Sequence, residues 1–214
     1  MVEKKRSRGR PRAYDPDAAL DSAAELFWAQ GFSATSLDEL SEAMGMGRPS
    51  IYHAFGDKEA LFLRVLERYR DTTGATPLQA MEREASVSDG LAALFRQTVA
   101  YTTADRTHCG CLLGSVASAT DLPAVKRFLK TNLKKMEAQI EDRLSAAVRI
   151  GQLPPDYSAA DGARLAVNAM LSLGVRARLR TARAELLADA DVATATVLAG
   201  VAPSVSPHVL SSAS

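Results

Sequence analysis

Arg48, Ser50, Tyr52 and His53 stand close together on a segment where Ile51 and Phe55, four residues apart, can pack inward as neighbours on one helical face. The remaining side chains are then left outward, and they are polar, planar and rich in hydrogen-bonding groups. Such a face suits the base edges and phosphates of a DNA groove. A second basic feature lies upstream, in Arg8-Gly9-Arg10-Pro11. Two arginines on an extended element either enter the narrow minor groove of A·T-rich DNA or touch phosphates only. A third group is His108-Cys109-Gly110-Cys111. A structural zinc site wants four ligands, so these three do not make one and no metal is expected. A cysteine beside a histidine can be partly thiolate and react with oxidants or electrophiles, which makes Cys109 and Cys111 redox candidates, and an incidental pair is the alternative. The other histidines, His53 and His208, have no carboxylate at a spacing that suggests a triad, so no catalytic residue and no enzyme is expected.

The outward face needs a short helix held at a fixed angle, and the residues before it provide one. Ser36 followed by Glu39 is a capping box that starts a helix at Leu37. Leu40, Ala43 and Met44 recur at helical spacing, and Gly45 can adopt the left-handed conformation that turns the chain out. Gly47 and Pro49 then open a second short helix over Arg48 to Phe55. Two short helices joined by a glycine-containing turn form a helix-turn-helix, whose second helix enters the major groove. Asp15-Pro16-Asp17 starts a supporting helix that Gly31 ends, with Leu20, Ala23, Ala24 and Phe27 inward. After Gly56-Asp57 a longer helix runs from Lys58 to about Asp71, with Leu61, Val65, Leu66 and Tyr69 inward.

The stretch G-M-G-R-P-S-I-Y-H-A-F-G-D-K-E-A-L, preceded by G-F-S-A-T-S-L-D-E-L, resembles the DNA-binding domain of the TetR family of one-component bacterial repressors, with Ile51, Tyr52, Phe55, Lys58 and Leu61 in register. Ala54 departs from it, standing where a polar residue is frequent. The resemblance implies DNA contacts by Arg48, Pro49, Ser50, Tyr52 and His53 and phosphate contacts by Thr35, Ser36 and Lys58, and the basic arm would add minor-groove or backbone contacts by Arg8 and Arg10. It also implies a homodimer on a double-stranded, pseudo-palindromic operator and a small-molecule effector. Gly110-Cys111-Leu112 matches a stretch found in many members. By helix face, Phe95, Tyr101, Leu112, Phe128, Met136, Asn168 and Met170 are candidates to line the effector pocket, and each reads as plain core too.

Charge is divided unevenly along the chain. Residues 1 to 12 hold six basic side chains against Glu3, whereas residues 13 to 70 hold five basic and ten acidic ones. DNA affinity draws on basic groups that displace counterions, so the arm must provide most of it. The N-terminus has no apolar run behind its charges and no stretch approaches a membrane span, so a cytoplasmic protein without membrane contact is expected.

The remainder reads as helix throughout. A short helix is expected over residues 78 to 84, and others from Val87 to about Ala104 and from Leu112 through Ala119. A long amphipathic one follows from Pro123 to Ile150, then helices from Ser158 to about Arg180 and from Arg183 to Ala199. Ala163 to Val175 is apolar on nearly every face, which calls for cover by a second subunit. In the resemblance the last two helices build that interface. The expected fold is all-α: a disordered basic arm at 1–13, an N-terminal three-helix DNA-binding domain at 14–71, a helical ligand-binding and dimerisation domain at 77–200, and a flexible tail at 201–214. No cofactor is expected. The functional expectation is a ligand- or redox-responsive repressor; the alternative is an architectural A·T-rich DNA-binding protein without an effector.

Overall fold

A computed structural model describes residues 15–104 and 109–200. The basic arm, with Arg8 and Arg10, the tail, and His108 lie outside the described residues. Among those described there is no strand, and nine α-helices follow one another: α1 Pro16–Gln30, α2 Leu37–Ala43, α3 Arg48–Phe55, α4 Lys58–Asp71, α5 Thr76–Glu82, α6 Val87–Thr102, α7 Pro123–Arg149, α8 Ala159–Arg178 and α9 Arg183–Ala199. The chain divides into two compact units after Val65, inside α4.

In the first unit local chemistry sets the helix ends. The Asp15 carboxylate accepts from the Asp17 N–H at 2.9 Å. The Ser36 hydroxyl accepts from the Glu39 N–H at 3.2 Å while Glu39 accepts from the Ser36 N–H at 2.7 Å, completing the capping box. Hydrogen bonds from the Ser36 side chain, the Ser36 N–H and Gln30 hold the Glu39 carboxyl below its usual range. Gly45 turns at φ +61°, in the left-handed region glycine reaches without strain. Met44 and Met46 are buried on either side of it, and Ala43, expected inward, is exposed. The core joins Ala19, Leu20, Ala23 and Phe27 of α1 to Leu40, Ile51, Leu61, Phe62 and Val65. At its centre the Phe62 ring lies 4.7 Å from Phe27 and 5.2 Å from Phe32.

The second unit is a bundle whose core takes Leu91, Leu94, Phe95 and Val99 from α6, Ile140 and Leu144 from α7, Ala163, Val167, Met170 and Leu173 from α8, and Leu186, Ala190 and Val197 from α9. Small residues on α8 let its neighbours approach closely. A Cβ on Gly162 would fall 2.9 Å from Tyr157 Cζ, and one on Gly174 would fall 3.2 Å from Cys111 Cβ. The Tyr157 hydroxyl donates to Val197 O at 2.7 Å, fastening the start of α8 to the end of α9.

Two expectations change here. The helix expected through Ala119 is a π-helical turn over Leu112–Val116 followed by a 3-10 turn over Ala117–Ala119. Glycines at 110 and 114 flank its start, and the Ser115 and Ser118 hydroxyls donate to carbonyls four residues back, at Cys111 and Gly114. Helix α8 carries a polar strip, since Arg164, Asn168 and Ser172 are exposed, while the apolar side chain of Val175 is left outside the core. Its glycines are buried and none of its alanines is exposed.

Candidate nucleic-acid interface and thiol cluster

Helix α3 presents the face expected to meet DNA. Arg48, Pro49, Ser50, Tyr52 and His53 are all exposed, Tyr52 at 50%, while Ile51 between them is fully buried. The seat of the helix is fixed by that one isoleucine, by Met44 and Met46 in the preceding turn, and by Ser41, whose hydroxyl donates to Met46 O.

The residues expected to hold phosphate are placed differently from one another. Ser36 is exposed at the α2 terminus, its hydroxyl engaged by the cap with Glu39. Thr35 is 1% exposed and its hydroxyl donates to Gly31 O at 2.7 Å, so the expected phosphate contact by this side chain is corrected: it is a structural residue of the turn. Lys58 Nζ donates to Phe32 O at 3.0 Å and to Thr35 O at 2.9 Å, and sits 4.3 Å from the centre of the Phe32 ring. It ties the α1–α2 turn to the start of α4, with two of its three N–H donors turned inward. Sequence spacing misses Asp38, the acid that meets the reading helix. Arg48 Nε donates to Asp38 Oδ1 at 2.6 Å, and Nη2 pairs with Oδ2.

The effector-lining candidates differ in burial. Phe95 and Met170 belong to the bundle core, Leu112 is buried, and Tyr101, Phe128 and Met136 are half-buried. Asn168 is a correction, because it faces outward from α8 beside Ser172 and lines no interior space of this chain. A cleft of about 390 Å³ lies elsewhere, lined by Ala75, Leu78, Gln79, Glu82, Arg83 and Gln139.

Tyr101 does take part in a smaller cluster around the thiols. Cys111 is half-buried, and the Tyr69 hydroxyl at the end of α4 donates to its Sγ at 3.8 Å. Burial pushes the Tyr69 phenol well above its ordinary range, with Cys111 adding to the shift, and Tyr101 is shifted the same way for the same reasons. Both are therefore protonated donors at neutral pH. Cys109 is buried, and Arg180 Nη1 lies 3.1 Å from its Sγ. Between the two, Gly110 adopts φ +93°, where a Cβ would fall 3.0 Å from Gly174 O of α8. Among the described residues no group of three His, Cys, Asp or Glu side chains could hold a metal ion. No described helix is long and apolar enough to cross a membrane.

Comparison with known proteins gives two family matches, to bacterial regulatory proteins of the tetR family over residues 19–65 and to the tetracyclin repressor-like C-terminal domain over residues 88–194. The chain is 37% identical over 154 residues to the HTH-type transcriptional repressor ComR of Escherichia coli (strain K12), covering 71% of this chain and 73% of that one. It is 34% identical over 115 residues to the repressor BdcR of the same organism, covering 53% and 58% respectively. Among solved structures, a cysteine mutant of the TetR family transcriptional regulator CifR with 26 bp of double-strand operator DNA matches with a TM-score of 0.81 and 33% identity, over 87% of this chain and 99% of that one.

Proposed function

The chain belongs to the TetR family of bacterial regulatory proteins and is a DNA-binding transcriptional regulator, not an enzyme; on that premise we propose that it is a homodimeric repressor, released from a pseudo-palindromic operator by a small reactive molecule. The observation that carries the reading is α3, whose polar residues are all outside while Ile51 is fully buried. Arg48, Ser50, Tyr52 and His53 read or position against the major groove, with Pro49 starting the helix and Ser36 placed beside a phosphate. Lys58 acts by holding the turn and has one donor left for DNA. The ComR and BdcR repressors, and the operator complex of CifR, support repression at an operator.

Pairing of two copies is supported by apolar side chains left exposed on the last two helices: Val175 at 46%, Leu179 at 74% and Val192 at 65%. Burying them against a second copy removes apolar surface from water and duplicates the reading helix by two-fold symmetry. Selection of a randomised duplex library by the purified full-length protein tests the proposal. The expected result is an inverted repeat whose half-sites lie about one helical turn apart, on the order of 10 bp. Enrichment of A·T-rich DNA without a repeat would instead favour the architectural alternative.

The charge division adds a second prediction. Because residues 13 to 70 carry twice as many acidic as basic side chains, the arm is the source of phosphate neutralisation. Deleting residues 1 to 12 is expected to weaken binding and flatten the dependence of log K on log salt by about 0.9 for each phosphate that the arm neutralises. A salt titration with an unchanged slope would remove the arm from the interface.

For the signal, the thiol cluster is the best supported site. Cys111 touches Tyr69, which belongs to the helix that begins at Lys58, and it presses on α8 at Gly174. An adduct on Cys111 would have to displace one of those helices, which gives a reactive small molecule a means of favouring one arrangement over another.

A further inference from the structure

We infer that Asp38 is a specificity-determining residue: it orients Arg48 so that the outer edge of the guanidinium reads a guanine in each operator half-site. The inference rests on the operator reading above and goes beyond it. Two acids stand at the start of α2, and they are used differently. Glu39 is consumed locally, one oxygen accepting from the Ser36 N–H and the other from Gln30 Nε2 at 3.3 Å. Asp38 takes no part in the cap and reaches instead to the first residue of α3, meeting Arg48 through both oxygens.

The pairing edge decides what remains. A guanidinium carries five N–H donors in one plane. Asp38 occupies Nε–H and one N–H of Nη2, so the two of Nη1 and the second of Nη2 are left along the far edge. That edge offers two parallel donors, which match the O6 and N7 acceptors of guanine in the major groove. Adenine places an amino donor where O6 would be, and opposes the arginine. The residue also stands where reading happens, since the first residues of a recognition helix are those that meet base edges.

Exposure argues that the pair serves geometry rather than folding. The two side chains are 52% and 74% exposed, a setting in which an ion pair adds little stability. Its effect is to fix the guanidinium plane and to remove rotamer freedom before DNA arrives, so less ordering remains to be done on binding. The carboxylate also repels phosphate, and that repulsion is offset only where a guanine satisfies the arginine. Wrong sequences are thereby disfavoured.

The test repeats the duplex-library selection with full-length Asp38→Ala, Asp38→Asn, Arg48→Ala and the Asp38→Ala/Arg48→Ala pair. The unaltered protein is expected to require a guanine at one position of each half-site. Asp38→Ala should lower that preference about tenfold or more while other positions hold their bases, and the held positions show that the variant folds. Asp38→Asn, nearly isosteric, should fall between, and the double variant should match Arg48→Ala. A guanine preference that survives Asp38→Ala, a motif lacking such a guanine, or a gain in affinity for all sequences alike would overturn the inference and leave the operator reading intact. If the unaltered protein enriches no motif, both fall together.

Discussion

Phe62→Ala is expected to unfold the DNA-reading unit and abolish operator binding while the helical bundle from α5 to α9 stays folded. The ring is fully buried and lies within 5.2 Å of two other aromatic rings, Phe27 and Phe32. Truncating a buried phenylalanine costs about 3–5 kcal/mol, the transfer free energy of the ring plus the cavity it leaves. A unit of some fifty residues holds only about 3–8 kcal/mol at ordinary stability per residue, so most of it is removed. Secondary consequences follow through Phe32, whose ring and carbonyl both hold Lys58. Without the cluster the turn before α2 has no anchor. Thermal melting followed by far-UV circular dichroism should show the transition of this unit lowered by at least about 12 °C, with loss of operator binding in parallel. Melting within a few degrees of the unaltered protein would mean that the aromatic cluster is not what holds the reading helix in place.

Much of this arrangement is legible in the chain before any coordinates. Capping is local chemistry, so Ser36 with Glu39 and Asp15 with Pro16 set α1 and α2 where the sequence puts them, and α3 runs over Arg48 to Phe55 as its glycine and proline predict. What escapes is any role that depends on two helices meeting. A lysine at a helix start reads as a phosphate ligand, yet Lys58 turns to carbonyls 26 and 23 positions away because the α1–α2 turn happens to fall beneath it. Phe62 follows Leu61 and lies off the counted stripe, and only the packing of α1 against α4 makes both inward. Asp38 and Arg48 are ten residues apart on different helices, so their pairing depends on the crossing angle. Asn168 reads as a pocket residue, yet it falls in the exposed strip of α8 with Arg164 and Ser172.

The thiol site yields the second large effect, because half-buried Cys111 is closely approached by α4 and α8. Its Sγ is 3.8 Å from the Tyr69 hydroxyl, and its Cβ sits where Gly174 could not carry a methyl group without a contact of 3.2 Å. Addition of the Cys111 thiol across the double bond of N-ethylmaleimide places a ring in that space. Overpacking of this kind costs about 1–3 kcal/mol in the arrangement that must accommodate it. If the DNA-binding arrangement is the one strained, operator affinity falls about 5- to 150-fold, the range such a coupling free energy spans. Cys109 is a different case: it is buried, so the maleimide reaches it less readily than it reaches Cys111. The expected result is that Cys111→Ser binds operator as the unaltered protein does and is no longer released by the maleimide, whereas Cys109→Ser is released normally. Fluorescence anisotropy on operator DNA, with mass spectrometry to count adducts, separates the two. Release of Cys111→Ser at the same adduct level would move the sensor to another residue. Full modification of Cys111 with unchanged affinity would show that α4 and α8 absorb the adduct without passing it on.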